Sequence, residues 1–520
     1  DESALSRHFR IEPRAGTESG TLALLEPLDV ADDAYAGRTV EGATVTYTGW
    51  TATSEDGTVT ADTVQLIGLH DTEDGPSADK IVVNGMTITS DALDEDGEPS
   101  QVEASIDTLV LVDPSPALFA DMVEVMTARD GGTDTAEGLV GQQQFRALQI
   151  ESFAANVTGA EGSGDIAVAQ VIVGNDRETE RLDMVVESVA FDWSGQTPGG
   201  EDDPVELAMD GLTVLEFDTS SFEKETAMGS QMALANLFNP TSLMPYRQVD
   251  LGEMSLETRL FDLATDGFES DREETGTKTV LRSVLSPMVV TLKDLEGTPV
   301  APYMDVLRDN GLAELTMRGS STTEIDARAD RMVVTDALFD LDEGFRTDCD
   351  YALQGVNAAA KALEESGVEP PVLSGEDPDL EAYFAQAELY QAAQAEANAL
   401  IRIERLRCDL QDVPGNSLVT RGYAVAAEVT GKPVAVLKGT AKTAIAMGSM
   451  MAPSALERNL MDMVGGGLID FIDTPGQTMT VTLAPAEPLP VTELMALQSG
   501  EKSLQEIGLT VEVKGPVASD

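Results

Sequence analysis

Basic residues are scarce in this chain of 520 residues: 32 Lys and Arg stand against 93 Asp and Glu, a formal net charge of −61. Because nucleic-acid binding requires Lys and Arg to neutralise phosphates, this balance argues against a nucleic-acid partner. The sequence also shows no basic cluster to hold an anionic membrane surface. The acidic residues are dispersed along the chain, which is typical of a solvated, soluble surface.

Residues that commonly carry catalysis are equally few. The two histidines, His8 and His70, suggest neither a zinc pair nor a Ser-His-Asp arrangement. Ser499 and Lys502 match a Ser-x-x-Lys pattern, but its companion motifs are missing. Carboxylate pairs carry no signal in a chain this acidic. The sequence therefore predicts a protein that is not an enzyme.

The chain has only two cysteines, Cys349 and Cys408. One disulfide between them fits an oxidising compartment, and closing that loop would stabilise the fold by about 4 kcal/mol in the chain-entropy model. The alternative is a pair of buried free thiols. The chain begins with Asp1 rather than Met, which indicates a processed form after removal of a signal peptide. These features predict a periplasmic or extracellular location.

Long apolar runs are also missing. No run approaches the ~18 residues that span a bilayer as a helix, so no transmembrane segment is predicted. Aromatic residues make up 5% of the chain and hydrophobic residues 42%, so the cores are expected to consist mainly of aliphatic side chains and Met. The length exceeds the size at which one core stops growing, which predicts several domains or an elongated repeat.

The first hundred residues show the rhythm of an antiparallel meander. Acidic turns end at Gly57, Gly75 and Gly97, and β-rich stretches lie between them. Asp-Gly pairs supply the positive φ angles that tight hairpin turns require. Two further glycines, Gly68 and Gly85, fall within strands and predict bulges or bends that curve the sheet.

Similar stretches recur further along the chain. FRALQIESF from Phe145 and YRQVDLGEM from Tyr246 share an aromatic-Arg-x-aliphatic-x-aliphatic pattern. We therefore predict a mainly β fold with helices (α+β), in which repeated units of long antiparallel strands form curved sheets, each with a packing helix. The predicted divisions are an N-terminal segment (1–39), β units 1 (40–142), 2 (143–244) and 3 (245–345), a helical hairpin (346–408) and β unit 4 (409–520).

The hairpin is predicted from composition. Residues 351–400 are rich in Ala, Glu, Gln and Leu, which are strong helix formers, and Pro370 and Pro371 interrupt them. Cys349 stands before the first helix and Cys408 follows the second. Because antiparallel helices bring these two ends together, the disulfide is expected to clamp the base of the insertion.

One acidic turn approaches the EF-hand calcium pattern. Asp94, Asp96 and Glu103 fall at the right offsets. The first ligand position, however, holds Ala92, and the flanking stretches predict strands where an EF-hand needs helices.

A second acidic cluster, over 340–350, offers Asp340 and Asp342. Solvated turn carboxylates are the commoner explanation of both clusters. Calcium is the one cofactor that they suggest, and otherwise no cofactor is expected.

Two Met-rich heptapeptides, AMGSQMA (Ala227–Ala233) and AMGSMMA (Ala446–Ala452), fall in predicted amphipathic helices. Methionine adapts to varied acyl chains, so these helices could line a ligand site. The glycines at 465–467 predict a flexible joint. The alternative is that the helices simply cap a sheet core. The predicted lining residues are Met228, Met232, Leu237, Phe238, Met447, Met450, Met451, Leu460, Met463, Leu468 and Phe471.

Two stretches of the C-terminal part, NGLAELTMRGSSTTEIDARADRMVVTDALFDLDEG and GQTMTVTLAPAEPLPVTELMALQ, resemble elongated periplasmic β-groove lipid-handling proteins of Gram-negative bacteria, AsmA-like and related. The resemblance implies carriage of a lipid in the groove of a bent sheet. It supplies no catalytic residue, and the missing membrane anchor departs from the AsmA-like pattern.

We therefore expect a non-enzymatic secreted or periplasmic envelope protein that binds or carries a lipid or other apolar ligand in a curved β-sheet groove. The alternative is a structural cell-surface or envelope protein that assembles through its β units, with another envelope protein as partner and calcium bridging its acidic loops.

Overall fold

The structure of the protein is a computed structural model. It describes residues 5–25, 34–53, 57–73, 75–93, 99–127, 144–159, 162–176, 179, 181–196, 202–218, 246–293, 301–368, 380–451, 455–496, 504 and 506–515.

The chain forms two compact units. Unit 1 comprises the described parts of Asp1–Ser220 and Gln248–Arg259, and unit 2 those of Ser221–Arg247 and Leu260–Asp520. Both are mainly antiparallel β-sheet with helices. The predicted α+β class is therefore confirmed.

Unit 1 is a meander of long strands. Its strands are β1 (Gly37–Glu41), β2 (Thr44–Thr53), β3 (Gly57–Ile67), β4 (His70–Thr72), β5 (Gly75–Ser77), β6 (Lys80–Leu93), β7 (Pro99–Val112), β8 (Ala147–Gly159), β9 (Gly162–Asp176), β10 (Arg181–Gln196), β11 (Asp202–Asp218), β12 (Gln248–Leu251) and β13 (Met254–Thr258). Its helices are α1 (Glu18–Leu25) and α2 (Pro116–Thr127). Sequential antiparallel pairing runs from β1 to β3, then from β6 to β11, and β3 pairs with β6. β11 also pairs with β12 and β13, while β4 and β5 form a separate hairpin.

A crease crosses the sheet of unit 1 where several strands adopt positive φ. Gly49, Gly85 and Ser152 have φ of 61°, 61° and 54°, and the predicted bend at Gly85 lies on this line. Strand alternation would place side chains three residues apart on opposite faces. Across the crease, however, the ring centroids of Tyr47 and Trp50 lie 5.1 Å apart, so both side chains are on the same face. The apolar face therefore continues across the crease, and the residues that point toward it change from odd to even positions, or the reverse, at that point.

The core of unit 1 lies on this continuous face. Tyr47, Val64 and Ile81 are buried there beneath Leu118 and Phe119 of α2.

Unit 2 repeats the antiparallel pattern with more helices. Its strands are β14 (Phe261–Thr265), β15 (Phe268–Thr275), β16 (Lys278–Leu292), β17 (Glu314–Asp326), β18 (Arg331–Leu341), β19 (Phe345–Gln354), β20 (Arg402–Asp412), β21 (Thr478–Leu483), β22 (Leu489–Pro490) and β23 (Leu509–Lys514). Its helices are α3 (Ala301–Asp309), α4 (Val356–Glu365), α5 (Leu380–Asn398), α6 (Leu418–Thr430), α7 (Val434–Met451), α8 (Ala455–Asp473) and α9 (Val491–Ala496). β14 and β15 both pair with β16, and each strand from β16 to β20 then pairs with the next in sequence. β20 also pairs with β21 and β22, and β21 pairs with β23.

The predicted helical hairpin and disulfide are both present in unit 2. α4 and α5 form the hairpin between β19 and β20. Cys349 and Cys408 lie directly opposite each other in the register of these strands and are bonded. The disulfide therefore closes the insertion at its base, as the cysteine positions predicted.

Candidate functional site: an open apolar sheet face

Beyond the crease, five neighbouring strands of unit 1 alternate between apolar and polar residues. In β10, Val189, Phe191 and Trp193 are partly exposed on one face, while Ala190 and Asp192 between them are exposed on the other. The same alternation runs through β8, β9, β11 and β13. This period of two is the pattern of a strand with two different faces.

The register aligns the apolar positions into three rows across the five strands. Row one is Phe153, Val168, Val189, Met209 and Met254; row two is Ala155, Ile166, Phe191, Leu207 and Leu256; row three is Val157, Gly164, Trp193, Val205 and Thr258. We call these fifteen residues the open apolar face. At ordinary sheet spacings it measures about 19 Å across the strands and about 13 Å along them.

The open apolar face is only partly covered. All of its side chains keep an intermediate exposure, and Gly164 alone is buried. Among the described residues, α1 makes its main contacts with β1 and β4, and α2 with β2 and β5, at the other end of the sheet. Contiguous apolar surface of this kind marks an interaction or ligand site more often than ordinary surface does.

The rows continue directly into the core. In the register, Phe153 faces Ile106 on β7, which faces Met86 on β6, which faces Ala61 on β3. Ile106 and Ala61 are buried, at 7% and 5% exposure. Among the described residues, helices thus cover this apolar face near β2 and leave it uncovered near β10.

Trp193 contributes the largest side chain of the open apolar face. It stands opposite Gly164 in the register, and a Cβ at position 164 would come within 2.6 Å of its ring carbon Cε3. The indole therefore lies over the neighbouring strand, and the glycine leaves the space that it occupies.

The reverse side of the same strands is strongly acidic. Asp165, Asp192, Glu206 and Glu257 stand in one row across β9, β10, β11 and β13. Asn156 extends this row and donates a hydrogen bond to Asp165 at 2.9 Å. Adjacent like charges repel and favour hydration, so this row disfavours an apolar ligand on the reverse side.

The predicted Met-rich lining residues do not form a single described site. Met228, Met232, Leu237 and Phe238 lie outside the described residues, as does AMGSQMA. Met450, Met451, Leu460 and Met463 lie on α7 and α8 at positions where only the backbone is described. Met447 is 51% exposed and Leu468 is partly buried, whereas Phe471 is buried at 4%. These helix positions therefore divide between surface and core.

The three glycines predicted to form a joint are instead helical. All three belong to α8, and a Cβ at Gly467 would come within 2.7 Å of Val511 and 3.3 Å of Met479. The expectation of a flexible joint was wrong, because the missing side chain lets α8 lie close against β21 and β23.

Arginines engage the acidic cluster near Asp340. Arg318 Nη2 lies 3.3 Å from Asp340, and Arg421 pairs with the Asp342 carboxylate. The two carboxylates line a cavity of about 190 Å³ with Thr316, Arg318, Glu343 and Asn416.

No calcium site can be assembled from the described residues. Asp94 and Asp96 fall outside them, and Glu103 is exposed on β7. No group of three His, Cys, Asp or Glu in the described part is arranged to hold a metal ion. Calcium binding stays a prediction.

Contacts around the two histidines hold the N-terminal segment against the strands of unit 1. His8 Nε2 lies 3.2 Å from buried Asp183, which also accepts a hydrogen bond from Arg7 at 3.0 Å. Asp79 has a similar set of partners. It is buried, lies 3.7 Å from His70, and accepts a hydrogen bond from the backbone N–H of Arg14 at 2.6 Å. These contacts give both histidines a structural role.

Comparison with known proteins gives one family match and no described function. A family model described only as an uncharacterized protein matches residues 338–514, within unit 2. No curated protein matches the chain. Among the helices of the described residues, none is long and apolar enough to cross a membrane.

Alternation of apolar and polar residues in the sequence indicated the open apolar face, but the predicted ligand site was placed on the Met-rich helices instead. Apolar residues alternate in β8 to β11, and this period of two was visible in stretches such as VAFDWSG. The signal could not identify the open region, because the alternation is the same in strands that helices cover.

Proposed function

We propose that this protein binds a lipid or other apolar chain on the open apolar face of unit 1. The observation that carries the proposal is the alignment of fourteen partly exposed residues, almost all apolar, into three rows across five strands. Removing apolar surface from water contributes about 25 cal/mol per Å². A flexible hydrocarbon chain can follow the rows without needing directional hydrogen bonds.

The sheet geometry supports a groove as the binding site. We propose that the positive φ angles at the crease bend the strands, with the apolar rows on one side of the bend. Met209 and Met254 sit side by side in the first row, where their adaptable side chains suit varied chain shapes. We further propose that the strands arose as repeated curved units, an idea supported by the FRALQIESF and YRQVDLGEM stretches.

The disulfide supports a periplasmic or extracellular location within this proposal, because such bonds persist in oxidising compartments. We infer a role in the cell envelope, in which binding rather than chemistry is the activity. The alternative is assembly with a second envelope protein through the same apolar face.

A pair of neighbouring substitutions tests ligand binding. Phe191→Asp places a charge in the middle row of the open apolar face, whereas Ala190→Asp places it on the reverse side of the same strand. The purified chain is stripped of lipid, incubated with a fluorescent fatty acid and a phospholipid, and examined by native mass spectrometry and fluorescence titration. We expect F191D to weaken binding about tenfold or more, because an unpaired charge is costly in an apolar contact, and A190D to bind like the wild type.

Three outcomes contradict the proposal: no bound lipid in the wild type, equal binding by F191D, or equal loss in A190D. Light scattering with calcium and with EDTA examines the alternative. If the wild type self-associates and F191D is monomeric without any ligand effect, assembly replaces ligand binding as the function.

A further inference from the structure

The rows of the open apolar face continue differently at their two ends. Toward the crease, the next row across the strands is again apolar and consists of Ile150, Val171, Val186, Leu212 and Leu251. At the far end, the next row across β8 to β11 is Gly159, Gly162, Gly195 and Asp203. Because every second residue of a strand points to the same face, Asp203 lies in line with Val205 and Leu207. It is the one charged residue in these five rows.

The far row leaves open space beside this carboxylate. Its three glycines carry no side chain, and a Cβ at Gly159 would meet no atom closer than Ser100 Oγ at 3.9 Å. Asp203 is exposed, and within the described part of the chain no hydrogen bond or ion pair engages its side chain. The far end of the face therefore presents an unpaired carboxylate beside bare backbone.

The strands of the open apolar face hold almost no cation that could receive an anionic group. β8 to β11 and β13 together contain thirteen Asp and Glu but a single base, Arg181. Arg181 stands at the opposite end of β10, where it pairs with Glu216 at 2.7 Å. Arg259 follows β13 and is itself engaged by another group. The potential along the face is therefore negative, which favours a cationic ligand group and repels an anionic one.

We propose that the ligand of the open apolar face is an amphiphile whose polar end is an ammonium group, bound at Asp203, with its apolar chain along β11 toward Met209. The inference rests on the ligand binding proposed above and adds the chemical class of the ligand. From Asp203 to Met209 the strand spans about 20 Å, which is enough for an extended dodecyl chain. The crease end offers only apolar side chains, so the polar group is expected at Asp203.

Three amphiphiles that share a dodecyl chain test the inference: dodecylammonium, dodecanoate and the uncharged dodecyl maltoside. Each is titrated, below the concentration at which it forms micelles, into the full chain loaded with a neutral fluorescent alkyl probe. A fatty acid still binds through its chain, but its carboxylate meets Asp203. We expect dodecylammonium to bind about tenfold more tightly than dodecanoate at low salt, since one exposed charge contributes about threefold in each direction. High salt should shrink this ratio.

A pair of substitutions on β11 locates the selectivity. Asp203→Asn removes the negative charge and keeps the shape of the side chain. We expect it to weaken dodecylammonium about threefold, to strengthen dodecanoate about threefold and to leave the maltoside unchanged. Glu206→Gln is the matched control, because it removes the same charge from the reverse side of the same strand. It should bind all three amphiphiles like the wild type, and circular dichroism checks that both variants fold.

The uncharged amphiphile separates the two proposals. If neither the probe nor the maltoside binds the wild type, or if F191D binds them equally well, ligand binding on this face fails and the inference fails with it. If both bind, but dodecanoate binds as tightly as dodecylammonium or D203N changes no affinity, only the inference is overturned. Equal effects of E206Q and D203N also overturn it, because the selectivity would then come from the net charge of the whole chain.

Discussion

The Trp193 indole on β10 occupies the space above Gly164 on β9, and a Cβ at position 164 would come within 2.6 Å of it. This contact fixes the largest ring of the open apolar face. Replacing the glycine should displace the indole, because the added Cβ would clash with the rigid ring and with the backbone carbonyl oxygen of Asp192 on β10.

We therefore expect Gly164→Ala to increase acrylamide quenching of tryptophan fluorescence and to weaken binding of a fluorescent fatty acid several-fold. Gly466→Ala is the control, since no heavy atom lies within 4 Å of its added Cβ. Unchanged quenching in G164A would show that the ring tolerates the methyl group and would contradict the prediction.

The acidic row on the reverse side should cost stability. Asp192 lies between Asp165 and Glu206 in the register, and like charges directly opposite each other destabilise a sheet. We expect Asp192→Asn to raise the free energy of unfolding by about 1 kcal/mol at low ionic strength. Thermal unfolding at low and high salt checks this, because salt should shrink the difference; a lower Tm for D192N at low salt would refute it.

The disulfide should stabilise the fold through the unfolded chain. It joins cysteines separated by 59 positions, and a loop of that length corresponds to about 4 kcal/mol in the chain-entropy model. Guanidinium unfolding of the Cys349→Ser/Cys408→Ser double variant should show this loss for unit 2. Reduced wild type should behave like the double variant, and an unchanged midpoint in both would be incompatible with the prediction.

Asp183 should control attachment of the N-terminal segment. It is buried, lies 3.2 Å from His8 Nε2, and accepts hydrogen bonds from Arg7 and from the backbone N–H of Glu216 at 2.7 Å. Asp183→Ala leaves these groups without their partner, at a cost of about 3 kcal/mol. Hydrogen exchange should accelerate in residues 5–14, whereas Asp203→Ala on exposed β11 should leave it unchanged. Equal protection in both variants would mean that apolar contacts alone hold the segment.

The ion pair between Arg331 and Glu404 predicts a defined pH dependence. Arg331 donates to Glu404 at 2.8 Å, and this hydrogen bond holds the pKa of Glu404 below its ordinary value. A lowered folded-state pKa contributes stability above the unfolded pKa of about 4.3, and this stability is lost as the pH falls through the folded value.

Glu404→Gln should therefore be less stable than the wild type at neutral pH and equally stable in acid. Arg331→Gln should reproduce this, since it removes the same contact. Unfolding titrations between neutral and acid pH measure the difference. A constant difference across that range would attribute the effect to packing instead.

Local signals in the sequence were enough for much of the fold. Asp-Gly turns and alternating residues predicted the meander, and Ala-rich stretches between two cysteines predicted both the hairpin and its disulfide. These features depend on neighbours in the chain: the positive φ at position 85 is a local property of the glycine, and a helix former acts within one turn. They could therefore be read without knowing the register.

The candidate site required long-range information. Met-rich helices attracted attention because their pattern is compact in sequence, yet Phe471 is buried and Met447 is on the surface. The open apolar face instead combines positions from Phe153 to Thr258, which only strand register aligns. Its exposure depends on where the described helices lie, a fact that no single strand encodes.

The sequence alone thus determined the class of fold, the acidic surface and the cysteine pair, because composition and short-range backbone preferences act locally. Only the tertiary structure decided which apolar residues stay open to solvent. Phe191 and Val64 belong to the same kind of alternating strand, but α2 and its neighbours cover Val64, and no described helix makes a main contact with the strand of Phe191.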